Sequence, residues 1–170
     1  IICLFLFSAM AAAAPGVYDP EVRYSSYGIP HIKADDWASL GYGYGYAYAS
    51  QNICVLAREV VAAHGQLSRY FGESSVNLPN DFLYTLVNNE AFILDGLASM
   101  EADSRAGIKG YAAGYSRYLR DTGVDNLPED CRSEPWVREI DEIDLGRVFY
   151  KLILRASSGN GLLSSFIVDA

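Results

Sequence analysis

Positive charge is scarce in this sequence. Its 13 Lys and Arg residues stand against 21 Asp and Glu residues, which gives a formal net charge of -8. Phosphate groups are bound by basic surfaces, because they need positive partners. The composition therefore argues against nucleic acid and against an anionic membrane as partners.

Histidine is also scarce, with His31 and His64 as the two copies. The sequence has no H-E-x-x-H, no C-x-x-C and no EF-hand loop, so the common metal motifs are missing. It has no G-x-S-x-G elbow for a nucleophilic serine either. His64 falls at a predicted helix end, where the helix dipole favours an imidazolium, so its position alone accounts for it. We predict no catalytic histidine, no metal and no cofactor.

Acidic residues cluster at 141–144, where Asp141, Glu142 and Asp144 could offer hard oxygen ligands to calcium. Acids at a helix start are more typical of capping and of matching the helix dipole, and we favour that interpretation. Glu59 and Glu101 are predicted to be solvated helix charges. Arg117 and Arg120 are predicted to form an exposed helix face.

No hydrophobic run is long enough to span a bilayer. The apolar stretch at 1–7 is followed by small uncharged residues at 8–14, as in the apolar core and cleavage site of a secretory signal. We expect residues 1–14 to be the remnant of a signal peptide and the mature domain to occupy 15–170, in a periplasmic or secreted protein. A buried apolar helix is the alternative.

Cysteine occurs three times, and Cys3 would leave with the signal. In an oxidising compartment the remaining pair, Cys54 and Cys131, can form a disulfide. Closing a loop of that length is worth roughly 4 kcal/mol in the chain-entropy model. Two unrelated thiols, with Cys54 as an ordinary buried helix residue, are the alternative.

What is present indicates one globular domain, since 51% of the residues are hydrophobic and 20% are charged. Short strands are predicted at 22–26 and 31–34, around a turn at 28–30. A long helix follows, capped by Asp35 or Asp36 and stopped by Gly65. Later helices are predicted at 82–87, at 90–100, at 103–121 and from Asp141 or Asp144 onward, with loops at 68–79 and 125–135.

Glycine and tyrosine alternate at 41–46, inside the predicted long helix. A dinucleotide-binding fingerprint needs G-x-G-x-x-G in a strand-to-helix turn, and neither the spacing nor the context fits. We interpret the small residues as sites of close packing and the tyrosines as a cavity wall. Gly107, Gly110 and Gly114 in a later helix are predicted to mark close packing of another element.

Five segments resemble one protein family when they are taken in order. They resemble the α-chain of penicillin-type acylases, and most of all the branch of acyl-homoserine-lactone and aculeacin acylases. The resemblance covers roughly residues 22–157 and is carried by residues 27–32, 41–52, 65–72, 110–119 and 127–140.

This resemblance implies an α+β fold class: a mostly helical α-chain with a short N-terminal β element, completed by a β-chain into an N-terminal-nucleophile (αββα) hydrolase. In such enzymes an exported precursor is cut in two, and the first residue of the β-chain is a serine. Its free α-amino group titrates near pH 8 and acts as the base. Ile1 has no hydroxyl, so this chain is expected to lack the nucleophile and to be a fragment or a processed piece of an amidohydrolase acting on small N-acyl substrates.

The family's last α-chain helix lines the acyl-binding cavity. Carried onto this sequence, that implies Phe149, Leu152, Ile153 and Ser157 as substrate-binding residues; the alternative is that they only pack against the β-chain. A calcium site is not carried over, because the stretch at 159–161 stands where a family glutamate would be. The rival hypothesis is a self-contained secreted helical module that holds a small ligand with its tyrosines.

Overall fold

The computed structural model describes residues 18–157 of the chain. The predicted signal peptide, Cys3 and the stretch at 159–161 lie outside the described residues. Within them a two-stranded antiparallel sheet precedes six helices. The elements are β1 (Glu21–Tyr24), β2 (Pro30–Lys33), α1 (Trp37–Ala63), α2 (Leu67–Phe71), α3 (Asn77–Val87), α4 (Glu90–Ala98), α5 (Ala102–Thr122) and α6 (Glu142–Ser157), with 3-10 turns at Val124–Asn126 and Glu129–Cys131. The predicted mostly helical chain with a short N-terminal β element is confirmed.

The hairpin of β1 and β2 pairs Val22 with Ile32. Gly28 makes the turn possible with a φ of 76°, a conformation that other residues rarely adopt. The side chain of Ile32 reaches Gly43 of α1, where an added Cβ would lie only 2.8 Å from its methyl group. The hairpin therefore packs directly on the first turns of α1.

Helix α1 begins as predicted, with Asp36 as its cap. The Asp36 carboxylate accepts hydrogen bonds from the backbone N–H of Ser39 at 2.7 Å and from its hydroxyl at 2.8 Å. The helix is kinked at Asn52, whose φ of -137° is not helical. Just before the kink the Ser50 hydroxyl donates to the carbonyl of Ala47 at 2.7 Å, a bond that is known to bend helices.

Helices α1 and α5 run parallel with their backbones in direct contact. A Cβ at Gly45 would collide with the carbonyl of Tyr111, and a Cβ at Gly110 would collide with the carbonyl of Ala38. Gly114 meets the carbonyl of Tyr42 in the same way. The prediction of close packing is confirmed for Gly110 and Gly114, whereas an added Cβ at Gly107 would lie 3.7 Å from its nearest atom, the carbonyl oxygen of Trp37.

The core continues beneath α5, where the segment before α6 crosses it. Ser116 is buried there, and its hydroxyl donates to the carbonyl of Ile140 and accepts from the N–H of Ile140, both at 3.1 Å. Helix α6 then starts with Asp141 as its cap, accepting from the N–H groups of Ile143 and Asp144. Of the two predicted caps, Asp141 is the one used.

The loop predicted over 68–79 is confined to residues 72–76. Helix α2 fills the first part of the predicted range, held by the Asp81 carboxylate, which accepts from the N–H groups of Leu67 and Ser68 at 2.7 Å each. Helix α3 begins at Asn77, and Pro79 lies in its first turn, where a missing N–H costs nothing. The loop predicted at 125–135 contains the two 3-10 turns. In the part of the chain that the structure describes, no helix is long and apolar enough to cross a membrane.

Candidate substrate pocket

A large cavity lies between α1, α5 and α6, with β2 at one end. Its volume is about 820 Å³, in the range that holds a small ligand. Most of its wall is aliphatic and aromatic. The lining residues are Ile32, Trp37, Leu40, Gly41, Tyr44, Tyr48, Leu56, Glu59, Asp103, Ser104, Gly107, Ile108, Tyr111, Leu145, Val148, Phe149 and Leu152.

Three tyrosines, Tyr44, Tyr48 and Tyr111, form one wall. Of the tyrosines in the alternation at 41–46, which were predicted to form a cavity wall, only Tyr44 lines it. Tyr44 meets Tyr111 edge to face, with ring centroids 5.4 Å apart, and Tyr48 lies 6.1 Å from Tyr111. Burial, helped by the neighbouring phenols of Tyr48 and Tyr44, raises the pKa of Tyr111 well above its ordinary value. The phenol therefore stays protonated and uncharged at every physiological pH.

Helix α6 forms the opposite wall with one stripe of its apolar residues. Leu145 and Val148 are buried, whereas Phe149 and Leu152 are 42% and 45% exposed although both line the cavity. This spacing of three and four residues is that of one helix face. The predicted substrate-binding residues Phe149 and Leu152 thus reach the cavity.

The other two predicted substrate-binding residues lie elsewhere on α6. Ile153 is 61% exposed and does not line the cavity, since it lies one residue around the helix from Leu152. The hydroxyl of Ser157 donates back to the carbonyl of Ile153 at 2.8 Å, within its own helix. The structure therefore brings together two of the four predicted residues.

An ion pair closes the cavity wall between α1 and α6. Lys151 is buried, with 4% of its side chain exposed, and its Nζ lies 2.5 Å from Oε2 of Glu59, which lines the cavity. The prediction that Glu59 is a solvated helix charge is therefore wrong. The available signal was the position of Lys151, three residues after Val148 on the buried side of α6. Nothing near Glu59 in the sequence indicates a partner 92 residues away.

A second polar cluster lies at the junction of α1 and α6. Asp144 is buried and accepts from both terminal nitrogens of Arg138 at 2.7 Å, and His64 Nε2 lies 2.7 Å from the same carboxylate. Burial alone would raise the pKa of Asp144, but the hydrogen bonds from Arg138 and His64 outweigh it and hold the pKa well below the usual range. His64 thus has a partner that its place at a helix end did not reveal.

The acidic segment at 141–144 is engaged in helix capping and in ion pairs. Within residues 18–157 no group of three or more His, Cys, Asp and Glu side chains could hold a metal ion. Glu142 instead pairs with Arg105 at 3.2 Å and with Lys109 at 3.8 Å. These acids serve helix capping and ion pairing.

Cys54 and Cys131 lie side by side, with their Cα atoms 5.4 Å apart and their sulfur atoms bonded. The bond joins the second half of α1 to the 3-10 turn at Glu129–Cys131. Cys131 is fully buried in the core. The pairing ties the helix that carries Glu59 to the segment leading into α6.

The protein is thus a mostly helical chain with an apolar pocket between three of its helices. Residues 19–152 match the sequence model of the family described as penicillin amidase. The chain belongs to the penicillin amidase family, which confirms the resemblance noted in the sequence.

Two curated relatives agree with this membership. Aculeacin-A acylase from Actinoplanes utahensis is 40% identical over 157 residues, which cover 85% of this chain and 20% of the relative. The acyl-homoserine lactone acylase PvdQ from Pseudomonas putida is 38% identical over 161 residues, which cover 91% of this chain and 21% of the relative. The chain spans about a fifth of the length of the curated relatives it matches.

A solved structure shows the same fold. The thermostable penicillin G acylase from Alcaligenes faecalis superimposes with a TM-score of 0.72 at 26% sequence identity. The match covers 84% of this chain and 75% of that one. The described residues therefore have the fold of a chain of an N-terminal-nucleophile hydrolase.

Proposed function

We propose that this chain is the α-chain region of an acylase that hydrolyses the amide bond of N-acyl compounds. The observation that carries the proposal is the cavity between α1, α5 and α6, in a chain 40% identical to an acylase over 85% of its length. Acyl-homoserine lactones, lipopeptides and β-lactam compounds are the candidate substrates. The two curated relatives are named as acylases of acyl-homoserine lactone and of aculeacin A, so we favour the first two.

The reacting groups would come from a β-chain made from the same precursor. Its first residue, a serine, would attack the amide carbonyl while the free α-amino group accepts the hydroxyl proton. The residues described here support a non-catalytic role for this chain. His31 is exposed on β2, and His64 is held by Asp144, so neither serves a serine in the pocket.

The exposed apolar residues of this chain support a large partner. Val55, Leu86 and Ile153 are between 56% and 62% exposed, and Phe82 is 59% exposed. Phe82 and Leu86 are four residues apart on α3, so they present one exposed apolar helix face. A β-chain covering them would complete the pocket, with Ile153 and Ser157 of α6 facing that partner or the far end of the substrate.

Phe149 and Leu152 would select the acyl chain by apolar fit. Each methylene in such a pocket discriminates by only about 1–3 kcal/mol, so selection by length would be graded. We also propose that the protein works in the periplasm or outside the cell. That location rests on the leader-like residues 1–14 and on the disulfide between Cys54 and Cys131.

The test is to express the complete gene and to assay its purified product with N-dodecanoyl-homoserine lactone, following release of the free amine. Residues 15–170 expressed alone are the control. We expect hydrolysis by the complete product and none by the isolated chain. Hydrolysis by the isolated chain would contradict the assignment of the nucleophile to a β-chain.

A self-contained binding module is the second candidate, because the cavity is built within this single chain. It predicts that residues 15–170 fold cooperatively as a soluble monomer and bind a fatty acid. The α-chain proposal predicts aggregation through the exposed apolar surface instead. Calorimetric unfolding and light scattering of residues 15–170 separate the two.

A further inference from the structure

The Glu59–Lys151 pair is unusual among the polar features of the molecule because it opens onto the pocket. Glu59 is 37% exposed and lines the cavity, while Lys151 lies behind it with 4% of its side chain exposed. The ring of Tyr84 covers the same ammonium group, with its centroid 5.8 Å from Nζ. The carboxylate is thus the face of the pair that a ligand would meet.

Glu59 is the partner of a buried ammonium group. Such a group is tolerated only with a counter-charge, because removing it from water is costly. Removing Glu59 alone would therefore leave Lys151 without its partner in the cavity wall. One oxygen of Glu59, Oε2, accepts from Lys151, and a carboxylate has further acceptor positions to offer.

Glu59 lies far from Asp103, the other acid that lines the cavity. On the cavity wall, Leu56 lies one turn before Glu59 on α1 and Leu152 follows Lys151 on α6. Tyr84 and Arg155 are the polar side chains near the pair, and neither lines the cavity. Asp103 lines the cavity at the start of α5, which packs beside the first turns of α1 through Gly107 and Gly41. The two acids are separated by most of the length of α1, about 30 Å at 1.5 Å per residue.

From this geometry we infer that Glu59 is a specificity residue that recognises a hydroxyl group on the acyl chain. The pair is neutral as a whole, so a neutral donor adds no charge to the pocket. A ligand ammonium group would add a positive charge beside Lys151, and a ligand carboxylate would be repelled by Glu59. A hydroxyl donates to the free acceptor position and leaves the rest of the chain on the apolar wall.

Sites built to hydrogen-bond a substrate hydroxyl reject the analogue that lacks it, because the site's own polar group is then left without a partner. The pocket of this chain would therefore favour hydroxylated over plain acyl chains. The inference rests on the proposed acylase function, since it concerns selection among acyl groups. It differs from a role in tying α1 to α6, which would affect stability and not the choice of substrate.

The test uses the purified product of the complete gene and three substrates. These are N-dodecanoyl-homoserine lactone, an analogue hydroxylated near the amide, and an analogue hydroxylated at the chain terminus. The variant is the double substitution Glu59→Leu and Lys151→Met, because replacing both members of a buried pair by apolar groups is well tolerated. Asp103→Leu, which removes the other cavity carboxylate, is the matched control.

The readout is the ratio of kcat/KM for each hydroxylated substrate to kcat/KM for the plain one. We expect the wild type to prefer one of the hydroxylated chains, and the double variant to lower that ratio about tenfold. Asp103→Leu should leave the ratio unchanged. Thermal unfolding of each variant shows that it is folded.

An equal ratio in wild type and double variant, with the plain chain hydrolysed, would overturn the inference and leave the proposed function standing. So would an equal loss of the ratio in Asp103→Leu. Failure of the wild type to hydrolyse any of the three amides would overturn both.

Discussion

Helix α1 has two faces that differ in the size of their side chains. Towards α5 it presents Gly41 and Gly45, and there the two backbones touch. Towards the cavity it presents Tyr44 and Tyr48, which line it together with Tyr111 of α5. On one helix, glycines thus mark the backbone contact and tyrosines mark the pocket wall. A change on the first face should affect folding, and a change on the second should affect binding.

We expect the largest effect on stability from removing the disulfide between Cys54 and Cys131. Replacing Cys54 and Cys131 by alanine should lower the free energy of unfolding by about 4 kcal/mol, because the unfolded chain loses a long loop constraint. Denaturant unfolding measures this, with Val55→Ala, an exposed neighbour on α1, as the control. Alkylation without reductant, followed by mass spectrometry, should label neither cysteine; two labelled thiols would contradict the pairing.

Two glycines of α5 test the backbone contact between α1 and α5, because an added methyl group clashes at one and fits at the other. Gly110→Ala drives a Cβ into the carbonyl of Ala38 and should cost about 3 kcal/mol. Gly107→Ala meets its nearest atom, the carbonyl oxygen of Trp37, at 3.7 Å, so it should be neutral or stabilising through helix propensity. Equal effects of the two substitutions on thermal unfolding would refute the close contact.

The contact between the end of α1 and the start of α6 is stabilised by the charged cluster of Asp144, Arg138 and His64. Asp144→Asn should cost about 2 kcal/mol, less than for a fully buried pair because Arg138 is half exposed. The lowered pKa of Asp144 means that its contribution is complete above about pH 5 and is lost as the pH falls below about 4 toward the folded-state value. Unfolding curves of wild type and variant should therefore converge in acid. Asp121→Asn, at an exposed pair with Arg117, is the control and should show almost no change.

Substitutions at the cavity wall should change the free energy of unfolding least and the choice of substrate most. Leu152→Ala widens the pocket, and the proposed acylase function predicts that the product of the complete gene then shifts its preference toward longer acyl chains by about tenfold in kcat/KM. Ile153→Ala tests the neighbouring register, since its side chain lies outside the cavity lining. A shift with Ile153→Ala and none with Leu152→Ala would support the register carried over from the family and contradict the structure's arrangement.

Local signals explain which parts of this fold were predictable. The bounds of α1, its cap at Asp36 and the glycine contacts follow from patterns within a few residues. Helix α2 was missed because its cap is the Asp81 carboxylate, 13 and 14 residues further on. Pro79 suggested a loop, although proline is well tolerated in a first helical turn.

The candidate site also contains features with local sequence signals and features that depend on distant partners. The apolar face of α6 with Phe149 and Leu152 repeats at helical spacing, and the family resemblance indicated its place at the cavity. Of the predicted tyrosine wall at 41–46, only Tyr44 lines the cavity. The Glu59–Lys151 pair joins residues 92 positions apart, and a residue's own neighbours cannot reveal such a partner. Ile153 does not line the cavity of this chain, and adjacent stripes of an apolar helix look alike in sequence, so its role in binding stays a prediction.

The single hydroxyl of Ser116 has a consequence for what this position tolerates. It serves both the N–H and the C=O of Ile140, as a neighbouring β-strand would, in a segment without regular secondary structure. Alanine at this position would leave both the N–H and the C=O of Ile140 without their hydrogen-bond partner, whereas the hydroxyl of threonine could keep both hydrogen bonds. A crossing chain is thereby fixed to a helix by one oxygen atom.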